Sequence, residues 1–450
     1  MFSRVPTHPD RAEPTTGTRV SRRQFLAVTA AALGLPTIIP RQVLAGPEVP
    51  SQRVTLGIVG CGNMGLSNTE SFLVLKGCQV VAACDVDKQH LAAGVGRVNR
   101  HYQNQDCKPY HDYRELMARA DIDAVMCAVP DHWHALVAVE AARRKKDIYG
   151  EKPLARTIAE QQAIVAAVKE NGRVWQTGSW QRSVANFRKA AEIVRNGLIG
   201  KVTRVEVGLP GGNRNSGNVA KSMTPSDPPP ALDYDTWIGP SKLLPYIQGR
   251  THRNWRWNYN TGGGQLMDWI GHHCDIAHWG CDFDNSGPSE IEGHGEFPPK
   301  DAVWNTATKY RIELRYPRDI AITIAGGYDD IKPGTKWIGT NGWVWVERGA
   351  FEASNEEWRD CHTLPEELRK VKLYESNNHH QNFLDCVKSR KPTVTPAETA
   401  HHSAIPGHLG LISMLLERKI KWDVATERIV EDAEASQLLT RPYRAPWSLG

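Results

Sequence analysis

Apolar and polar residues follow two different patterns along this chain, and the change between them divides it into two domains. Between residues 54 and 178, short apolar runs are each followed by a segment of helical periodicity, as in 123–130 and the helix expected to begin at His134. Repeated β–α units of this kind predict a parallel sheet with helical crossovers. Later strand-like runs, such as 306–316 and 319–327, predict a mostly antiparallel sheet.

The first 45 residues have the features of an export signal. Arg22 and Arg23 precede an Ala-rich apolar run over 27–39, and small residues surround Ala45. This pattern predicts twin-arginine export to the periplasm with cleavage after Ala45. The run is short for a bilayer span, so stable membrane insertion is not expected, although an uncleaved membrane anchor is the alternative. The domains are then predicted at 46–178 and 179–450.

Composition excludes several classes of function. The 450 residues are 23% charged and 40% hydrophobic, as in a soluble globular protein of two domains. A net charge of +5 without a dense Lys/Arg block argues against nucleic-acid binding. The nine cysteines include no C-x-x-C pair, which argues against both a zinc site and a disulfide framework.

A glycine motif after the first strand predicts a dinucleotide site. Gly60, Gly62 and Gly65 have the G-x-G-x-x-G spacing, and Asn63 and Met64 lie inside the motif. These glycines allow a tight turn, close backbone approach to a pyrophosphate, and close helix–strand packing. Asp85, at the end of the second strand, is placed to accept from ribose hydroxyls and to repel a 2′-phosphate, so we expect NAD rather than NADP.

Polar residues also follow the later strands of this half. Pro130 and His134 come after one strand, and Glu151 and Lys152 come after the next. Ligands in open parallel sheets lie beyond the carboxyl ends of the strands. We therefore expect Pro130, His134 and Glu151 to contact the cofactor and Lys152 to point into the site.

The segment 262–279 concentrates three histidines and two aspartates. On a helix, Leu266 and Ile270 share an apolar stripe, whereas Asp268, His272 and Asp275 lie on the opposite side. Asp268 and His272 are neighbours at i and i+4. The face could carry a proton relay, be merely solvated, or hold a metal. A metal would need further ligands from elsewhere in the chain, and we predict that this helix binds no metal.

The chain resembles the Gfo/Idh/MocA oxidoreductases, in particular secreted members of planctomycete type and glycoside hydrolase family 109. The resemblance rests on GIVGCGNMG, AVPDHWHA, GEKPLA and GGGQLMDWIGHHCDIAHW. It implies an α/β fold, with an N-terminal Rossmann dinucleotide-binding domain and a C-terminal α/β domain containing an open, mostly antiparallel sheet. It also implies sugar or polyol substrates and a homo-oligomer, either a dimer or a tetramer.

The resemblance assigns roles to three residues. Lys152 would hydrogen-bond the developing alkoxide, His272 would accept the hydroxyl proton near neutral pH, and Asp268 would orient His272. Four further residues are predicted to contact the substrate: Arg182, Trp255, Arg256 and Asp275.

These features predict an NAD-dependent oxidoreductase acting on a sugar, polyol or glycoside. The first alternative is a redox-neutral enzyme, a glycosidase, epimerase or transhydrogenase, that retains and recycles its NAD, as glycoside hydrolase family 109 does. Export favours this alternative because little free NAD is present outside the cytoplasm. The second alternative is a non-catalytic sugar-binding protein.

Overall fold

Residues 54–177 build a six-stranded parallel sheet in the computed structural model, which describes residues 52–213, 223–358 and 365–449. The predicted export signal lies outside the described residues. All five strand pairs are parallel, and the order is β3-β2-β1-β4-β5-β6. The strands are β1 Val54–Val59, β2 Cys78–Cys84, β3 Lys108–Tyr110, β4 Ala124–Cys127, β5 Asp147–Gly150 and β6 Trp175–Thr177.

Helices connect these strands, as the β–α alternation predicts. They are α1 Asn63–Leu73, α2 Lys88–Tyr102, α3 Tyr113–Met117, α4 His134–Arg143 and α5 Ile158–Glu170. Asp87 and Thr157 cap α2 and α5 through side-chain oxygens that accept backbone N–H groups. The predicted Rossmann domain is thus confirmed. Its strand order reverses between β1 and β4, which is where such sheets bind dinucleotides.

A nine-stranded sheet forms the second domain, in the order β13-β12-β11-β7-β10-β9-β8-β14-β15. Its pairs are antiparallel apart from β7 with β10, which confirms the predicted mostly antiparallel sheet. The strands are β7 Val202–Leu209, β8 Glu290–Glu296, β9 Lys309–Tyr316, β10 Ile320–Gly326, β11 Gly334–Gly339, β12 Gly342–Glu347, β13 Ala350–Ala353, β14 Ile420–Asp423 and β15 Arg428–Ile429.

The remaining helices are α6 Ala185–Arg195, α7 Tyr234–Ile238, α8 Gly264–Cys281, α9 His379–Ser389, α10 Ala397–Leu416 and α11 Ala433–Gln437. Of these, α6, α8 and α10 cover one face of the second sheet, and α8 packs against both of the others. Because α8 is covered from several sides, nearly all of it is buried. A solvated face on this helix, one of the three alternatives above, is therefore excluded.

One helix crosses back to the first domain. Although α9 follows the second sheet in sequence, it packs against α1 and β1. Its Phe383 and Leu384 belong to the same apolar cluster as Val54 and Phe72. The first domain is therefore completed by residues that lie more than 300 positions after β1.

Two further findings concern the described residues as a whole. All cysteines within the described residues are buried and free. No helix among the described residues combines the length and the apolar character needed to cross a bilayer.

Candidate active site

The glycine loop between β1 and α1 leaves a backbone cradle open to the cavity. Gly60 has φ +93°, and a Cβ on Gly65 would lie 1.9 Å from the Gly60 carbonyl oxygen, so both positions require glycine. A Cβ on Gly62 would meet nothing within 4 Å. No side chain caps the N-terminus of α1. Free N–H groups at a helix N-terminus beside open space form an anion site suited to a pyrophosphate.

Asp85 lies at the carboxyl end of β2, where two backbone groups fix its carboxylate. It accepts from the N–H of Cys61 at 2.7 Å and of Asp87 at 2.8 Å. Burial raises the pKa of Asp85, and the two backbone hydrogen bonds oppose that rise. The carboxylate oxygens retain lone pairs that can accept from ribose hydroxyls.

A cavity of about 620 Å³ extends from this loop along the carboxyl ends of the strands. Both domains contribute to its wall, since α7 and the loop after it supply side chains opposite the glycine loop. Of the predicted cofactor residues, Gly65 alone does not line it; those that do are Gly60, Gly62, Asn63, Met64, Asp85, Pro130, His134 and Glu151. The residues from the second domain are Thr236, Trp237, His252, Arg253, Trp255, Arg256 and Trp447.

Two of the predicted cofactor residues also brace the loops around them. The His134 ring lies between the carbonyl oxygens of Pro153 and Val129, at 2.8 and 2.9 Å, and burial lowers its pKa. The carboxylate of Glu151 accepts from Asn68 Nδ2 at 2.8 Å. Both residues therefore fix the edge of the sheet on which Lys152 lies.

Lys152 and Asp268 meet between the two domains. Lys152 Nζ donates to the backbone oxygen of Asp268 at 2.8 Å and to Asp268 Oδ1 at 3.0 Å. Arg256 Nε donates to the same Oδ1 at 3.0 Å. A Cβ on Gly271 would lie 3.1 Å from Lys152 Cβ, so this glycine lets α8 approach the lysine closely. The two cations hold the pKa of Asp268 well below its usual range, against the effect of burial.

His272 lies on the next turn of α8, but it does not pair with Asp268. No hydrogen bond joins the two side chains among the described residues, because the Asp268 carboxylate binds Lys152 and Arg256 instead. His272 Nδ1 is buried without a partner there. Burial, followed by the charges of Lys152 and Arg348, lowers the pKa of His272 well below its usual value. The predictions of a tautomer fixed by Asp268 and of titration near neutrality are therefore wrong.

Two predicted substrate contacts are instead a structural ion pair. Arg182 donates to both carboxylate oxygens of Asp275, at 2.7 and 2.9 Å, and also binds Asp284. Arg182 and Asp275 are 2% and 1% exposed, and neither lines the cavity. The prediction that they contact substrate is wrong because the far end of α8 is covered by other elements. Trp255 and Arg256 do line the cavity, with the guanidinium 4.5 Å from the indole centroid.

The other two histidines of α8 are held by protein groups. His278 lies 2.7 Å from the Tyr316 hydroxyl and 3.1 Å from the Phe283 carbonyl oxygen. His273 Nε2 lies 2.9 Å from a carboxylate oxygen of Glu347. Within the described residues, two groups bring three potential metal-ligand atoms within 4.8 Å of one another, and neither group includes a residue of α8: Asp87, His90 and His252, and His401, His402 and Glu427.

The sequence-based predictions missed Asp131, which lines the cavity beside Pro130. It is buried, and its Oδ1 has no hydrogen-bond partner among the described residues. Burial raises the pKa of Asp131 to about 7, opposed by the charge of Arg256. Asp131 could have been predicted, because it follows β4 in the same way as Pro130 and His134, which were predicted from that position.

Comparison with known proteins agrees with this architecture. The model described as "Oxidoreductase family, NAD-binding Rossmann fold" matches residues 54–179. The model described as "Oxidoreductase family, C-terminal alpha/beta domain" matches residues 183–449.

Individual relatives match over shorter stretches. The chain is 32% identical to inositol 2-dehydrogenase of Salmonella typhimurium over 176 residues, which cover 38% of this chain and 48% of that protein. It is 33% identical over 159 residues to a glycosyl hydrolase family 109 protein of Shewanella sp. (strain ANA-3). These residues cover 31% of this chain and 35% of that protein. The match thus spans about half the length of the first relative and about a third of the second.

Solved structures match over almost the whole described chain. The aldose–aldose oxidoreductase from Caulobacter crescentus, complexed with glycerol, superposes with a TM-score of 0.60 at 18% identity. The superposition covers 82% of this chain and 99% of that one. At such identity the likeness establishes a shared fold.

Proposed function

The chain belongs to the Gfo/Idh/MocA oxidoreductase family, and on this premise we propose that it oxidises a ring or chain hydroxyl of a sugar, polyol or glycoside with NAD. The observation that carries the proposal is the position of Lys152. Its Nζ has three N–H groups, two of which are donated to Asp268. The third has no acceptor among the described residues, and Lys152 lines the same cavity as the glycine loop.

The residues of the first domain suit NAD. The open cradle at Gly62 and the uncapped start of α1 would hold the pyrophosphate. Asp85 would accept from the ribose hydroxyls, and its negative charge disfavours the 2′-phosphate of NADP. When bound, NAD supplies the acceptor for hydride.

Lys152 is placed to stabilise negative charge on a substrate oxygen. Its remaining N–H would donate to the hydroxyl that is oxidised, and the donation strengthens as the oxygen loses its proton. Arg256 shares the single carboxylate of Asp268 with Lys152, so the pair of cations is not fully neutralised. This excess positive charge lowers the pKa of a nearby hydroxyl.

We propose that His272 accepts a hydrogen bond from the substrate hydroxyl and then takes up its proton. Because its pKa is lowered, the ring is neutral and offers one lone pair. The nearby cations Lys152 and Arg348 disfavour a lasting imidazolium, so a proton received by His272 would be released to solvent water. Asp268 acts on this step indirectly, by orienting Lys152.

The experiment is a screen of sugars, polyols and glycosides with the full chain and NAD, following NADH absorbance. We expect turnover of at least one substrate, and loss of that turnover in Lys152→Ala while NAD remains bound. If sugars bind but none is oxidised under any condition, with or without added NAD, the protein is a sugar-binding protein and the proposal fails.

A redox-neutral cycle is the second candidate, and the shape of the cofactor cavity favours it. The second domain walls the cavity through Trp237, His252, Arg253 and Trp255. A dinucleotide contacted by both domains would dissociate more slowly than one bound to the first domain alone, and the same NADH could reduce an intermediate back. This candidate predicts NAD in the purified protein and cleavage of nitrophenyl glycosides without added NAD. A cofactor-free protein that needs stoichiometric NAD would exclude it.

We also propose that residues 1–45 direct export and that copies of the chain associate through the second sheet. The outer face of β9 is polar, with Arg311, Glu313 and Arg315 directed away from the core. N-terminal sequencing of the secreted protein would detect cleavage after Ala45, and light scattering would distinguish a dimer or tetramer from a monomer.

A further inference from the structure

The guanidinium of Arg348 lies against two indole rings, one of which neighbours His272. Its central carbon is 4.8 Å from the ring centroid of Trp180 and 4.6 Å from that of Trp269. Trp269 belongs to α8 between Asp268 and His272, whereas Arg348 directly follows β12. We call Trp180, Trp269 and Arg348 the arginine stack. Because indole rings lie against the guanidinium, it can form hydrogen bonds only along its edge.

Along that edge, the guanidinium of Arg348 has few hydrogen-bond acceptors within the described residues. Its only side-chain hydrogen bond there is to Gln181 Oε1, at 3.3 Å. No ion pair within 4.0 Å joins the Arg348 guanidinium to a carboxylate of those residues, and Arg348 is exposed. The adjacent Glu347 is engaged elsewhere: one oxygen accepts from the backbone N–H of Arg348 at 2.6 Å, and the other lies 2.9 Å from His273.

The arginine stack adjoins the proposed reaction centre, because the ring centroid of Trp269 lies 5.5 Å from that of His272. The charge of Arg348 helps to lower the pKa of His272, and the charge of Asp268 acts on Arg348 in turn. Of the three cations Lys152, Arg256 and Arg348, the first two are bound to the Asp268 carboxylate, whereas the Arg348 guanidinium makes no ion pair within the described residues. A guanidinium without a paired carboxylate attracts anionic ligands.

We propose that the arginine stack binds an anionic oxygen group carried by the sugar substrate: a carboxylate, a sulfate ester or a phosphate ester. The planar edge of a guanidinium matches two oxygens of such a group. Trp180 remains 36% exposed, so part of its indole is available to contact the sugar ring. This proposal rests on the proposed function, because it identifies which sugars the site at Lys152 takes.

The test compares matched substrates on the full chain loaded with NAD. Glucuronate, glucose 6-sulfate and glucose 6-phosphate are measured against glucose for both binding by calorimetry and turnover. We expect at least one anionic sugar to bind about ten- to a hundred-fold more tightly than glucose. Arg348→Gln should remove that advantage by raising KM for the anionic sugar, and Arg348→Lys should recover part of it.

A matched control and two opposite outcomes complete the test. Arg311 also lies over an aromatic ring, Tyr328, at 5.1 Å, but far along the second sheet, so Arg311→Gln should leave the preference unchanged. The proposal is overturned if wild-type protein binds glucose as well as every anionic sugar, a result that needs no variant. It is also overturned if Arg348→Gln weakens glucose and anionic sugars equally. In either case oxidation of glucose would leave the proposed function standing, whereas tight anionic binding without any turnover would refute that function alone.

Discussion

Lys152 Nζ and the Asp268 carboxylate, 116 residues apart in sequence, are 3.0 Å apart across the two domains. A second hydrogen bond, to the backbone oxygen of Asp268, fixes the ammonium in place. The lysine comes from the first domain and the aspartate from the first turns of α8. The proposed reaction centre therefore exists only when both domains are folded together.

Lys152→Ala should abolish oxidation without releasing NAD. Removing a group that stabilises the developing charge should lower kcat/KM by between about 100- and 10,000-fold. Steady-state kinetics and the absorbance of released cofactor measure the two effects. Lys169→Ala, on the exposed side of α5, is the control. Activity within a few-fold of wild type in Lys152→Ala would contradict the role given to this lysine.

Asp268→Asn should weaken folding at neutral pH, because Lys152 and Arg256 lose their shared counter-charge. Breaking such a buried pair costs about 3 kcal/mol. Since the pKa of Asp268 is lowered in the folded state, its contribution to stability is present above the ordinary carboxyl pKa and is lost as pH falls through the lowered value. Denaturation of both proteins from neutral to acid pH should show the difference shrinking only at the acid end.

Asp131→Asn should stabilise the protein more at pH 8 than at pH 5. The folded pKa of about 7 lies above that of the unfolded chain, about 4, so the folded state retains the proton between these values. Wild-type stability then falls as pH rises through this window, and asparagine removes the fall. Urea titrations at the two pH values measure it, and an equal effect at both would show that Asp131 does not titrate in this range.

Gly62→Ala and Gly65→Ala should separate cofactor binding from folding. A Cβ at position 62 meets no protein atom and the backbone there has φ −73°, so the variant should fold normally but bind NAD at least about ten-fold more weakly. A Cβ at position 65 collides with the Gly60 carbonyl oxygen, so that variant should melt at a lower temperature. Normal NAD affinity in Gly62→Ala would place the pyrophosphate elsewhere.

Arg182→Met should destabilise the fold and leave the kinetics of the folded fraction unchanged. Removing this arginine leaves Asp275 charged and buried, at a cost of about 3–5 kcal/mol. Replacing both residues, in Arg182→Met with Asp275→Leu, should recover part of the loss. A raised KM in the single variant would restore Arg182 as a substrate contact.

The sequence predicted best what depends on local pattern. Three features could be predicted because each depends on residues that are close in sequence. They are the glycine spacing, the apolar runs that form β1 and β4, and the i, i+4 relation of Asp268 and His272. Helical periodicity also placed Asp275 correctly on the side of α8 opposite Ile270. It could not reveal that Arg182, from another helical turn, covers that side.

The same limit explains the errors at His272. Its spacing from Asp268 allowed a hydrogen bond, but the structure brings Lys152 and Arg256 to the carboxylate first. Burial, and after it the charges of distant residues such as Lys152 and Arg348, lower the pKa of His272. Which cation reaches a carboxylate is decided by the packing of domains, a property that no short stretch of sequence carries.

The return of α9 to the first domain has a consequence for how the chain acquires its structure. Val54 and Phe72 share their apolar cluster with Phe383 and Leu384, so a ribosome must add about three hundred residues before this core can close. A fragment ending near residue 178 would expose the apolar surface that α9 covers. Attempts to produce the dinucleotide-binding half alone should therefore yield an aggregating protein unless the segment of α9 is supplied with it.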